Sequence, residues 1–226
     1  MSKFCMDDGF RSDLVIGAEF DGLLEIPIIK RPKEIMIPAG ITPFTHRDKS
    51  VGTNETICFN EMDQSFRNVI SNPENYVDDF SRFFGLISPD NSLYRDMPLS
   101  IQLANIYRNR AIGYYYQSKG IYVIPQIRWG DERTYTKSIL PEKTAFLGVE
   151  KNSIVSLGTY GCIRGKENKM YFKNGLYEML AELEPTVVLV YGNMPEAIFG
   201  EFLKYTRFVQ YPDWITRKKR GEYYGN

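Results

Sequence analysis

The sequence predicts an α/β protein built from parallel βα units. Three observations carry that prediction. Short apolar runs alternate with helix-forming stretches through the second half of the chain. These runs are nearly continuous in hydrocarbon, the mark of strands covered on both faces. Most of them end in a cluster of polar residues and glycines, as in "VIPQIRWGD" at 123–131. Seven or eight candidate strands in 226 residues suit a small TIM-like (β/α) barrel, whose usual lower size is roughly 200 residues. An open doubly wound sheet is the alternative. The 226 residues are expected to form one α/β domain, with 1–16 and 213–226 as flexible tails.

In chain order, "LLEIPIIK" (23–30) and "EIMIPAG" (34–40) read as two short strands interrupted by prolines, which suits edges or strand starts. "TPFTHRDKSVGTNET" (42–56) is polar and turn-rich and reads as a loop. Two short helical stretches between Asp63 and Phe80, divided at "SNPEN", precede a buried-type strand, "RFFGLIS" (82–88). "MPLSIQLANIYRNRAIGYYYQSKG" (97–120) is the clearest helix, with Pro98 suited to its first turn and Gly120 to its C-terminal cap. Gln102, Asn105, Asn109 and Gly113 fall on one narrow face, and apolar side chains cover most of the remainder, so this helix is expected to pack tightly. Strands follow at 121–127, 153–159, 186–192 and 207–212, with helices at 174–185 and 195–205 between them. "RKKR" (217–220) reads as part of a solvated tail, although such a run can bind phosphates.

Composition narrows the function classes. The 28 basic and 28 acidic residues exert no overall pull toward nucleic acid or an anionic membrane, so any such role needs a local patch. Cys5, Cys58 and Cys162 are odd in number and far apart, which spells neither a disulfide framework nor a paired-cysteine metal site. The N-terminus lacks the apolar run of a signal peptide, and no apolar stretch approaches the ~18 residues of a membrane span. The expected location is a reducing cytoplasm, with no membrane partner. The single histidine, His46, lies in a polar stretch, which argues against a histidine-rich metal site or a Ser-His-Asp triad. "GTYGCIRG" (158–165) is glycine-rich but lacks the lysine-serine ending of a phosphate-binding loop, and reads as a turn.

In either α/β architecture, ligands sit beyond the C-terminal ends of the strands. The residues just after each strand are therefore the candidate site: Asp90 and Asn91 after 82–88, Arg128, Trp129 and Asp131 after 121–127, Tyr160 after 153–159, and Asn193 after 186–192. Arg128 is expected to engage phosphate, Trp129 or Tyr160 to stack on a base, and Asn91 or Asn193 to hydrogen-bond its edge. Asp90 and Asp131 are the general-base candidates, or would hold a magnesium ion for phosphoester chemistry. Each feature also has a plainer reading: an Asp in a turn caps backbone amides, Trp129 packs in the core, and Arg128 pairs with an acid. Replacement of Arg128 by alanine is expected to cost only ~0.5 kcal/mol of stability, as for an ordinary surface change.

"NIYRNRAIGYYYQSKGIYVIPQIRWGD" (105–131), with "GAEFDG" (17–22), "SPDNSLYRDMP" (88–98) and "VVLVYG" (187–192) in the same order, is similar to domain of unknown function family 4417, found in phages, prophages and plasmids. The resemblance runs from about Gly17 to Tyr211. It implies a mobile-element protein in a bacterial cytoplasm and carries over no catalytic residues. Two functions are compatible with the residues. One is a pocket that recognises a nucleotide or single-stranded nucleic-acid segment, with or without hydrolysis. The other is a non-catalytic protein that binds and inhibits a host defence protein.

Overall fold

The computed structural model describes residues 10–50 and 53–221. Cys5 and the outer parts of both expected tails, 1–9 and 222–226, lie outside the described residues. A two-residue antiparallel pair, β1 (Phe20–Asp21) and β2 (Ile26–Pro27), precedes the main body. β3 (Gly40–Pro43), β4 (Glu55–Cys58), β5 (Gly85–Ile87) and β6 (Val123–Ile124) form one parallel sheet in that order. β7 (Ile154–Gly158), β8 (Val187–Tyr191) and β9 (Arg207–Tyr211) form a second parallel sheet. A parallel bridge between Gln126 and Ser156 joins the two, with Ile127 N donating to Ser156 O at 2.8 Å and Ser156 N to Pro125 O at 2.9 Å. Seven parallel strands thus lie side by side in sequence order. A doubly wound sheet reverses its order at a switch point; this one does not.

Helices make the crossovers that parallel strands require. α1 (Arg67–Ser71) and α2 (Val77–Phe80) link β4 to β5, α3 (Leu99–Ser118) links β5 to β6, and α4 (Glu132–Tyr135) follows β6. α5 (Gly165–Leu183) links β7 to β8, α6 (Glu196–Phe199) links β8 to β9, and α7 (Trp214–Lys219) follows β9. No helix among the described residues is long and apolar enough to cross a membrane.

Strand alternation sorts the side chains onto two faces. The helix-covered face carries Ile57, Leu86 and Val123, packed with Phe59, Phe80 and Tyr116, and farther along Val155, Leu157 and Val188, packed with Leu176 and Met179. The opposite face gathers Ile41, Cys58, Ile87, Ile124, Ile154, Leu189 and Tyr211, at least one residue from each of the seven strands, into one cluster. Six inter-strand steps would separate β3 from β9 by ~29 Å in a flat sheet. Yet Tyr211 Oη donates to Pro38 O at 2.6 Å, and Arg217 Nη1 donates to Ile41 O at 3.1 Å. The sheet is therefore strongly curled, with this cluster inside the curl.

Three expectations from the sequence change. The stretch read as a loop at 42–56 contains the end of β3, a 3-10 helix at Phe44–Lys49 and the start of β4. In the strand expected at 34–40, Ile35 and Ile37 pack on the inner cluster without pairing, and the ladder begins only at Gly40. Both expected tails fold back where they are described. Leu14 is buried in a 3-10 turn, and α7 is capped by Asp213, whose Oδ1 accepts from Thr216 N at 2.9 Å. Arg217 of α7 also pairs with Glu55 of β4 at 3.1 Å, with both side chains largely covered.

The narrow polar face of α3 turns inward and grips the backbone beyond β5. Asn105 Nδ2 donates to Ser92 O at 2.7 Å, Gln102 Nε2 to Met97 O at 3.0 Å and Asn109 Nδ2 to Pro89 O at 2.6 Å. Next to Asn109, the buried Arg110 donates to Leu147 O and Gln126 O at 2.9 Å, to Ala145 O at 3.1 Å and to Asn109 Oδ1. Burial pulls its guanidinium below the ordinary value, opposed by Asp21. Arg110→Met would leave these carbonyls unpaired in the interior, where a hydrogen bond to a charged group contributes about 1.5–3 kcal/mol. Urea denaturation should therefore show a loss of at least ~3 kcal/mol, and a loss below 1 kcal/mol would show that the carbonyls find other donors.

Candidate functional site

β5 delivers Asp90 to the C-terminal end of the sheet and β6 delivers Arg128 beside it. Arg128 Nη1 donates to Asp90 Oδ2 at 2.7 Å, and Asn60 Nδ2, from the end of β4, donates to the same oxygen at 2.9 Å. The Asp90 side chain is 5% exposed and that of Arg128 21%. Burial pushes the Asp90 carboxyl up, and Arg128 and Asn60 oppose it. Burial would lower the Arg128 guanidinium, but the Asp90 carboxylate reverses this and holds it above its ordinary value. A segment patterned as a strand ends in a guanidinium because the neighbouring strand supplies its carboxylate. This pair also corrects the expected cost of Arg128→Ala. Removing one partner of a buried pair strands the other charge, at about 3–5 kcal/mol, well above the surface value.

Arg128 and Gly158 line a cavity of about 630 Å³ at this end of the sheet, together with Tyr94 and Arg95 from the loop after β5 and Asn168 and Tyr171 from the first turns of α5. Arg95 pairs with Glu167 at 2.8 Å and sits 4.8 Å from the centre of the Tyr171 ring. Sequence reasoning missed these four rim residues. The signal was topological: the first turn of a helix that follows a strand lies over that strand's C-terminal end, but α5 was expected to begin at 174 and begins at Gly165.

The expected site residues divide. Arg128, Trp129 and Asp131 line the cavity, and Asp90 lies directly behind Arg128. Asn91 is buried next to Asp90, and its Oδ1 has no hydrogen-bond partner. Tyr160 is 49% exposed beneath Arg164, and Asn193 is exposed at the end of β8; neither belongs to the cavity wall. Trp129 is a wall and not a stacking platform. Its indole packs against Phe146 and Phe172, and its Nε1 donates to Tyr171 O at 3.2 Å. Asp131 caps α4, accepting from Arg133 N at 3.1 Å and pairing with the Arg133 guanidinium at 2.8 Å.

Burial pushes the Cys162 thiol up at the cavity wall, with Arg128 opposing, and the Cys58 thiol is raised by complete burial. Among the described residues, no group of three or more His, Cys, Asp or Glu side chains is arranged to hold a metal ion. His46 packs against Trp214 with ring centres 3.8 Å apart and planes tilted by 37°.

The family signature for domain of unknown function DUF4417 matches residues 18–212, which takes in every strand from β1 to β9. The chain belongs to this family. Among curated relatives, the Gene 1 protein of Mycobacterium phage L5 is 28% identical over 205 residues, covering 89% of this chain and 84% of the relative. The Gene 1 protein of Mycobacterium phage D29 is 27% identical over 187 residues, covering 81% of this chain and 66% of the relative. No solved structure matches the chain. The DUF4417 match thus includes the Asp90–Arg128 pair and the strand ends around it.

The position of Trp129 yields a packing test. A methyl group at Gly175 of α5 would collide with the indole ring. Gly175→Ala should therefore destabilise the fold by about 1–3 kcal/mol through overpacking, and adding Trp129→Phe should restore part of that loss. Full stability of the single variant in thermal melting would show that the indole can move aside.

Proposed function

We propose that this chain recognises a nucleotide in the cavity at the strand ends. The observation that carries the reading is the state of Arg128: Asp90 holds Nη1, while Nε and Nη2 are left without a hydrogen-bond partner among the described residues, at the wall of a cavity of about 630 Å³. A guanidinium fixed on one side by a carboxylate presents its remaining donors in a rigid fork suited to phosphate. Ligand cavities commonly enclose about 300–1,000 Å³. Tyr94, more than half exposed at the rim, offers a ring for a base, and Asn168 offers an amide. Asp90 and Asp131 are each committed to an arginine, so the reading is one of recognition and includes no magnesium-dependent step. Its biological setting would be the bacterial cell in which a mobile element is expressed.

The same reading includes closure of the curled sheet into a TIM-like barrel, supported by the sequential strand order and the bonds from Tyr211 and Arg217 to the β3 segment. If that seam closes the barrel, Tyr211→Phe should cost ~1 kcal/mol and speed amide exchange at Ile41 and Thr42 more than elsewhere in the sheet. Uniform acceleration along all strands would disfavour closure at this seam.

Binding can be read by thermal melting against mononucleotides, cyclic and linear dinucleotides and short single strands. At a hundredfold excess over the dissociation constant, ligand adds ~2.7 kcal/mol, which for a chain of this size raises the midpoint on the order of 5–10 °C. Arg128→Lys keeps a cation beside Asp90 but loses the fork, so it should fold and lose most of the shift. Asp131→Asn should retain the shift. If no compound in the panel moves the wild-type midpoint, the nucleotide reading falls.

A further inference from the structure

At the mouth of the cavity a second arginine has its fork already filled. Arg95, in the loop after β5, lines the wall with Arg128. Its Nη1 lies 2.8 Å from Glu167 Oε1, and its Nη2 donates to Glu167 Oε2 at 2.9 Å, so both arms meet one carboxylate in the first turn of α5. This is the bidentate geometry by which a guanidinium also takes a phosphate. The two partners differ in how firmly they are held. Arg95 is located without Glu167: its guanidinium sits over the Tyr171 ring, and its backbone oxygen accepts from Arg133 Nη2 at 2.5 Å, with Arg133 itself paired to Asp131. The Glu167 side chain is 65% exposed, and no other hydrogen bond or ion pair holds it among the described residues.

An exposed ion pair contributes little to stability, because water screens it and two long side chains must be ordered to form it. Exchange of the Glu167 carboxylate for a ligand oxyanion therefore costs little: the carboxylate returns to water, and the guanidinium keeps its place over Tyr171. The other charges along the wall permit the exchange. Asp90 is neutralised by Arg128 and Asp131 by Arg133. Asp96, the remaining acid of the wall, is exposed, so water weakens its repulsion. With Glu167 displaced, two guanidiniums serve one cavity of about 630 Å³, one beside the buried Asp90 and one at the rim.

We infer that Arg95 is the second anion-binding residue of the cavity, with Glu167 occupying its fork until a ligand displaces it, so that the preferred ligand carries two phosphate groups, one for each arginine. This rests on the nucleotide reading above and adds the number of phosphates to it. Glu167 then acts as an internal competitor. A ligand with one phosphate fills the Arg128 fork and leaves the Arg95–Glu167 pair intact, whereas a second phosphate takes the place of the carboxylate.

The test measures binding to the full chain by calorimetry. The probes are the common ribonucleoside 5′-monophosphates, the corresponding 5′-diphosphates, and cyclic dinucleotides, in which riboses separate the two phosphates. At least one two-phosphate class should bind on the order of tenfold more tightly than the monophosphates, and the class that does so reads the spacing of the two arginines. Arg95→Gln should remove most of that preference and leave monophosphate binding in place. Glu167→Gln, which frees the fork, should tighten the two-phosphate ligand about two- to fivefold and leave the melting midpoint of the free protein nearly unchanged. The same substitution in the Arg95→Gln background should give no such gain. Equal affinity for one- and two-phosphate ligands overturns the inference and leaves the nucleotide reading standing. Binding of no nucleotide overturns both. A gain of equal size in both backgrounds would mean that Glu167 acts only by long-range repulsion, and a Glu167→Gln protein that melts much earlier would make the pair structural; either result also overturns the inference.

Discussion

The guanidinium of Arg110 holds together the part of the molecule where regular structure stops. β6 is only two residues long, and beyond it the carbonyls of Gln126, Ala145 and Leu147 have no strand neighbour to donate to them. Backbone acceptors shut away from water need partners. One planar cation with several donors reaches all three at once, from a helix that passes behind the sheet. Burying a charge without a bonded carboxylate is costly; the facing carbonyl dipoles and the nearby Asp21 offset part of that cost. Asn109 completes the arrangement by accepting from Ser88 Oγ at 2.9 Å while donating to Pro89 O. The ends of β5 and β6 are thereby fixed from behind, so Asp90 and Arg128 meet in front with their geometry already set.

That division between back and front explains how a polar cavity persists in an apolar protein. The inner cluster of four isoleucines with Val187, Leu189, Cys58, Tyr191 and Tyr211 fills the curl below. The rim is tied by ion pairs such as Arg95–Glu167 and Arg133–Asp131, in which the partly exposed arginines contribute modestly to stability but orient the loops. Between them, Asn60 Oδ1, Asp90 Oδ1, Gln126 Oε1 and Ser156 Oγ are buried without a hydrogen-bond partner.

Much of the sheet was legible because β5, β7 and β8 are runs of consecutive apolar residues, or close to it, and β9 still carries Phe208, Val209 and Tyr211. β4 was not, since Glu55 and Thr56 open it with polar side chains, and the partners of Glu55 come from elsewhere in the chain: Thr42 Oγ1 donates to Glu55 at 2.5 Å, and Arg217 pairs with it. Without β4, Asn60 could not be recognised as a strand-end residue. The site itself was half legible. Asp90 and Arg128 follow their strands and do meet. Trp129 and Asp131 were grouped with Arg128 by closeness in sequence, but alternation turns Trp129 to the helix-covered face, and Asp131 starts a new helix. Adjacent letters at a strand end point in opposite directions, and a reading by proximity alone blurs that distinction.

The sequential order of the strands also dictates how the chain assembles while it is being made. Each strand pairs with the one synthesised just before it, so from β3 onward the sheet grows through comparatively local contacts. The bonds that join its two ends are different in kind: Tyr211 reaches Pro38 across 173 residues, and Arg217 reaches Ile41 across 176. Such long closures come late, because their loop entropy is offset only after the intervening strands are in place. On the ribosome, six strands can stand ready while the outer edge of β3 still presents unpaired backbone groups, the kind of edge on which stray strands add. The C-terminal segment is thus the last piece of the sheet to emerge and the one whose side chains reach back to Pro38 and Ile41.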